Sequence, residues 1–227
     1  MSGLLEICCD GLSSALAAEA GGAHRLELCA CLECDGLTPS AGLLTRVLAR
    51  VHIPVFSMVR PRPGDFIYSE TEIEVMLADI ADAKARGVLG IVGGALAEGS
   101  SRIDRNTTAA LVEAALPLPF TFHRAFDLVT EPAQALEELA DLGVARILTS
   151  GGGTRAIDSL EALRRYQDQV AGRIIIVACG KIRAANLAAV AVLESLAEFH
   201  SAARTPNRPD TVDQTEVAAM AEILDGR

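Results

Sequence analysis

The chain has 227 residues, half of them hydrophobic and 22% charged, which is ample for a packed core and excludes a disordered chain. There is no Trp and only 4% aromatic residues, so the core must be aliphatic. A net charge of −10 with a pI near 4.9 and no basic stripe excludes nucleic acid as an expected partner. In chain order, short apolar runs predict strands over 4–9, 25–29, 55–60, 89–93, 120–124, 146–150, 173–179 and 198–201. Segments of helical period alternate with them over 12–20, 40–51, 70–86, 104–116, 132–142, 154–170, 182–196 and 213–224. Ser69 and Thr71 stand where the third helix should start, Pro132 sits in a first turn, and Gly87 and Gly143 follow the third and fifth helices.

Strict alternation of strand and helix requires parallel strands joined by helical crossovers. Eight units of roughly 28 residues each fit a lean (β/α)8 TIM-type barrel, with an open doubly wound sheet as the rival. No linker or composition shift divides the chain, so residues 1–227 are expected to form one domain. No apolar run approaches the roughly 18 residues of a membrane span, and no membrane partner is expected. Residues 1–10 lack a basic region followed by an apolar stretch, and five of the six Cys fall within the first 34 residues. That spacing is poor for a disulfide framework, so a reduced, cytoplasmic setting is expected.

In a barrel, function gathers at the C-terminal ends of the strands. The first two strands share Glu6-Ile-Cys8 and Glu27-Leu-Cys29, and a spacing of two puts each Glu and Cys on one face. Two thiolates on neighbouring strands suit a soft ion, Cu(I) or Zn(II), though thiols so placed are more often small buried hydrophobes. Cys31 and Cys34 extend the run as a lone cluster, a weak zinc signature. Arg60, Arg62 and Asp65 follow the third strand, where guanidinium groups can grip a carboxylate or phosphate, or lock the loop through Asp65. His123, Arg124 and Asp127 end the fifth strand, and His123 is the best acid/base candidate, with a histidine satisfied by backbone as the bland alternative. Two glycine-bearing loops, Thr149–Thr154 and Ala178–Lys181, stand before helices and can face an anion. His200 adds an imidazole at the last strand, whereas His24 and His52 precede strands and are expected at the surface.

The runs LEICC at Leu5, HRLELC at His24, GLTPS at Gly36, RPRPGDF at Arg60, TFHRAFD at Thr121, RILTSG at Arg146 and EFHSAA at Glu198 together resemble the CutC family of copper homeostasis proteins. The resemblance implies a (β/α)8 barrel, a cytoplasmic homo-oligomer (dimer or tetramer), and Cu(I) binding with Cys8 and Cys29 as the ligands. Pro63 stands where a Gly is frequent, the turn after the seventh strand reads Ala178-Cys179-Gly180-Lys181, and Cys31 and Cys34 lie outside the family pattern. The alternative is an isomerase- or lyase-like enzyme acting on a small anionic carboxylate or phosphate. There His123, Glu27 and Asp127 would be catalytic, with Glu6, Arg60, Arg62, Asp65, Arg124, Ser150 and His200 binding the ligand.

Overall fold

The computed structural model describes residues 3–226. The eight strands are β1 (Leu4–Cys9), β2 (Arg25–Leu28), β3 (Val55–Met58), β4 (Gly90–Gly93), β5 (Phe120–Phe122), β6 (Arg146–Thr149), β7 (Ile175–Ala178) and β8 (Glu198–Ser201). Helices α1 (Leu12–Ala20), α2 (Ala41–Leu48), α3 (Glu70–Arg86), α4 (Arg105–Ala115), α5 (Pro132–Asp141), α6 (Leu160–Val170), α7 (Ala184–Ala191) and α8 (Gln214–Asp225) follow them in turn. All neighbouring strands pair in parallel, and β8 pairs back onto β1, so the sheet closes as the expected eight-stranded barrel.

Local chemistry accounts for the helix ends. Ser69 and Glu72 form a reciprocal capping box at α3, Ser40 and Asp104 cap α2 and α4, and Pro132 opens α5. Gly87 ends α3 at φ +97°, a left-handed turn that suits glycine. Several strands are shorter than predicted, because Cys29, Arg60, Ser150 and Cys179 leave the ladder to begin the loops at the mouth. The predicted helix over 154–170 begins late, at Leu160. The Ala156 amide is tied to the Gly180 carbonyl at 3.0 Å, and a 3-10 turn (Ala156–Asp158) forms instead.

Outward-facing strand residues such as Leu5, Ile7, Leu26, Leu28, Ile91, Ile147 and Phe199 join the helices in one continuous apolar core. The barrel interior differs. Its apolar filling is two small clusters, Cys29, Phe56, Met58 and Val92 on one side and Leu148, Val177 and Cys179 on the other. Beside them run buried charges. Arg25 donates from Nε to Glu6 and from Nη2 to Glu198, both at 2.5 Å, and Arg146 reaches the same Glu198 at 3.1 Å. Both guanidinium groups lie on the Phe56 ring, 4.7 and 5.4 Å from its centroid. Gly90 makes that ring position available, since a Cβ there would meet Phe56 at 2.6 Å.

Breaking this network leaves two buried carboxylates short of their shared cation, which costs about 3–5 kcal/mol. Arg25→Met is therefore expected to lower the urea midpoint sharply. Arg25→Lys should recover little, because an ammonium cannot reproduce the two-pronged fork. A midpoint equal to wild type in Arg25→Met would show that the network does not hold the barrel.

Candidate functional site: a thiol-bearing cavity at the barrel mouth

A cavity of about 560 Å³ opens at the C-terminal ends of the strands. Cys8, Met58, His123 and Cys179 reach it from β1, β3, β5 and β7 or their immediate ends, and Glu27, Leu148 and His200 reach it from β2, β6 and β8. The rim is built from the loops, with Asp35, Phe66, Arg124, Asp127, Lys181 and Arg183.

The floor is a proton-holding network. His200 Nδ1 lies 2.7 Å from Glu6 Oε1, and the other Glu6 oxygen accepts from Arg25. Burial opposes the Glu6 charge, but Arg25 and His200 outweigh it and hold the carboxyl at about 2. Burial likewise opposes a charged His200, yet Cys8, Glu27 and the bond to Glu6 raise it well above the ordinary histidine range. Glu27 has no such cation in contact; burial dominates and raises it to about 7. Its Oε2 is buried without a hydrogen-bond partner. Glu6, Glu27 and His200 place ligand-type atoms within 4.8 Å of one another. Both Glu6 oxygens are already bonded, however, so a metal there would rest on Glu27 and on a His200 that had given up its proton.

All six cysteines are free. Cys8 lines the cavity, its thiol 3.7 Å from the Ser201 carbonyl. Cys29 does not line it; its thiol donates to the Cys9 carbonyl at 3.5 Å and packs among Phe56, Met58 and Val92. Burial pushes the Cys29 thiol well up, with Cys8 and Glu27 adding to the effect. In register Cys8 faces Glu27, so Cys29 stands one pleat repeat higher and diagonal to Cys8. Cys31 is on an accessible loop at φ 54°, and its bond with Cys34 raises its thiol to about 11.

His123 caps the 3-10 turn Arg124–Leu128, its Nδ1 accepting from the Ala125 amide at 3.3 Å. The ring leans on Phe66 and Phe122, and a Cβ at Gly94 would lie 2.9 Å from Nδ1. Burial lowers His123 to about 3, and the charge of Arg60 adds to this, so the ring is neutral at neutral pH. With Nδ1 accepting, the ring proton sits on Nε2, which is buried without a protein partner.

Arg60 is buried away from the cavity, its guanidinium donating to the carbonyls of Cys34, Gly36 and Gly64 at 2.7, 3.1 and 2.8 Å and lying over Phe66. The expectation that Arg60 and Arg62 grip a ligand at the mouth is corrected accordingly. Arg62 pairs with Asp65 and Glu72 and with loop carbonyls, so Arg62 and Asp65 form a lock on the loop outside the cavity. Asp127 lines the rim, but its carboxylate is filled by Thr149 Oγ1 at 2.5 Å, the amides of Ser150 and Gly152, Ser150 Oγ and Arg124. The first glycine-bearing loop thus already holds an anion, one belonging to the protein. Ser150 lies beneath that latch, while Arg124, Glu27, His123 and His200 line the cavity and Glu6 supports it from below. His24 and His52 are at the surface, as expected.

Sequence reasoning missed Arg25, Glu198, Met58, Cys179 and Arg183. Arg25 was readable in principle, since Arg25, Glu27 and Cys29 share one face at a spacing of two.

These features define a (β/α)8 barrel whose polar, thiol-bearing cavity sits where barrels of this class carry their sites. The model of the CutC family matches residues 3–205, and the chain belongs to that family. A human protein named copper homeostasis protein cutC homolog is 48% identical over 221 residues, covering 97% of this chain and 81% of its own length. The crystal structure of CutC from Streptococcus agalactiae superposes with a TM-score of 0.82 at 28% identity, covering 88% of this chain and 98% of that one. Thiamine phosphate pyrophosphorylase from Pyrococcus furiosus, at 14% identity and a TM-score of 0.67, covers 98% of this chain and 96% of that one and shares the fold alone. Among the described residues, no helix is long and apolar enough to cross a membrane.

The depressed His123 has a measurable consequence. Below about 6.5 the unfolded chain takes up a proton that the folded imidazole refuses until about 3, so falling pH favours unfolding across that window. His123→Gln should lose this component. Its unfolding free energy should decline less than that of wild type between pH 7 and pH 5, and identical declines would show that His123 is not held neutral.

Proposed function

We propose that the protein binds Cu(I) through the thiolates of Cys8 and Cys29 as its part in copper homeostasis. The observation that carries this reading is the pair of free thiols on adjacent strands, one on the cavity wall and one a pleat repeat above it. Thiolates are soft donors that select Cu(I) over hard cations. The residues present fit that ion. Cys8 and Cys29 carry no disulfide, their thiols bond weakly to carbonyl oxygens, Cys8 also bonds His200, and Met58 packs against Cys29. Both thiols must lose a proton on binding, so the reading carries proton release with it. Keeping six free thiols and Cu(I) together calls for a reducing compartment, which supports a cytoplasmic site of action. The family resemblance further supports a homo-oligomer, dimer or tetramer.

An anaerobic Cu(I) titration against a competing chelator tests the reading. Wild type should hold one tight Cu(I) per chain, and Cys8→Ser/Cys29→Ser should weaken it by roughly two orders of magnitude or more. Unchanged affinity in the double variant, with Cys31→Ser/Cys34→Ser instead abolishing binding, would overturn it in favour of capture by the accessible loop thiols.

A further inference from the structure

The cavity contains more polar equipment than a pair of thiols uses. Two side chains that are 3% exposed, Glu27 and His123, line it with one polar atom each, Oε2 and Nε2, lacking any partner among the described residues. Leaving such atoms unpaired in a native fold is expensive, which marks them as atoms that something else satisfies. The tautomer of His123 makes its Nε2 a neutral N–H donor, suited to a carbonyl oxygen.

The rim adds charge at the matching end. Lys181 follows β7 and makes no ion pair among the described residues. Arg183 is oriented by its Nε on the Arg204 carbonyl at 2.9 Å and its Nη1 on Ile182 and Ser201, which leaves Nη2 without a partner among the described residues. The third cation, Arg124, is neutralised by Asp127. Barrels of this class hold anionic groups with the loops after their seventh and eighth strands, and Lys181, Arg183 and Ser201 stand there. In a chain of net charge −10, two cations on one side of an internal cavity, neither with an ion-pair partner among the described residues, are a local reversal of sign.

We infer that the cavity binds a small metabolite carrying a phosphate or carboxylate at one end and a carbonyl oxygen with a neighbouring hydroxyl at the other. Lys181 and Arg183 meet the anionic group, His123 Nε2–H donates to the carbonyl oxygen, and Glu27 Oε2 exchanges a hydrogen bond with the hydroxyl. The volume of about 560 Å³ accommodates such a molecule and excludes a polymer. The inference goes beyond the copper reading and does not depend on it, because none of these four groups is a proposed copper ligand.

Calorimetric titration of the full chain with matched probes tests it. Dihydroxyacetone phosphate and glycerol 3-phosphate differ in the carbonyl, as do hydroxypyruvate and glycerate, and the two pairs separate phosphate from carboxylate as the anionic group. At least one carbonyl probe should bind more tightly than its reduced partner. Lys181→Ala/Arg183→Ala should weaken it by roughly tenfold or more. The titration uses metal-free protein with every cysteine intact, so its outcome is read separately from the Cu(I) titration. In wild-type protein with ¹⁵N-labelled histidine, the bound probe should shift the Nε2 resonance of His123, a readout that needs no variant to fold. No binding of any probe by wild type at millimolar concentration, unchanged affinity in the double rim variant, or an unmoved His123 resonance would each overturn the proposal.

Discussion

The structure depends on one guanidinium inside the barrel. Arg25 holds Glu6 with one edge and Glu198 with the other, and Arg146 completes the set on Glu198. Buried charges are tolerable only when paired with good geometry, so this set fixes the rotamers of side chains from four strands at once. Its effect reaches the cavity. With one oxygen committed to Arg25, Glu6 has the other for His200, and that bond joins the larger effects of Cys8 and Glu27 in favouring the charged imidazole beneath the cavity.

The charges also dictate how the interior is filled. A barrel core is ordinarily layers of branched aliphatic side chains. Here apolar residues occupy two pockets of the interior, and the Phe56 ring supplies the face on which Arg25 and Arg146 lie. Gly90 on the neighbouring strand is small because that ring needs the space. The outer core between strands and helices carries the bulk of the hydrophobic stabilisation, which leaves the interior free to be polar.

The barrel was legible because its signals are periodic: eight apolar runs, eight helical segments, and caps such as Ser69 and Pro132 at their boundaries. Inward orientation of Glu6, Cys8 and Glu27 was legible for the same reason. Long side chains were not. Period places the Cβ of Arg60 but says nothing of where a guanidinium several bonds away comes to rest, and three carbonyls of its own and the preceding loop take it. Asp127 is a similar case. Its carboxylate is near the mouth as expected, yet the amides that a glycine-rich turn offers to any anion meet this one first. Contacts of that kind lie between loops distant in sequence, where no spacing rule operates.

The repeated Glu-x-Cys motif shows what closure of the sheet adds to such patterns. By local sequence the two copies are equivalent. Register sets Glu6 level with Arg25 and Cys8 level with Glu27, so the second copy stands one pleat repeat above the first. Glu6 therefore meets a guanidinium and stays ionised, at about 2, whereas Glu27 stands above that cation and rises to about 7. Cys8 comes to the cavity wall, while Cys29 is lifted against Met58 and Gly36 and does not line the cavity. Strand stagger, which closure of a barrel requires, thus converts one motif read twice into two carboxyls and two thiols with separate environments. An ionised support, a carboxyl raised to about 7, a wall thiol and a lifted thiol result from the same tripeptide pattern, and the cavity obtains its mixed character from that offset.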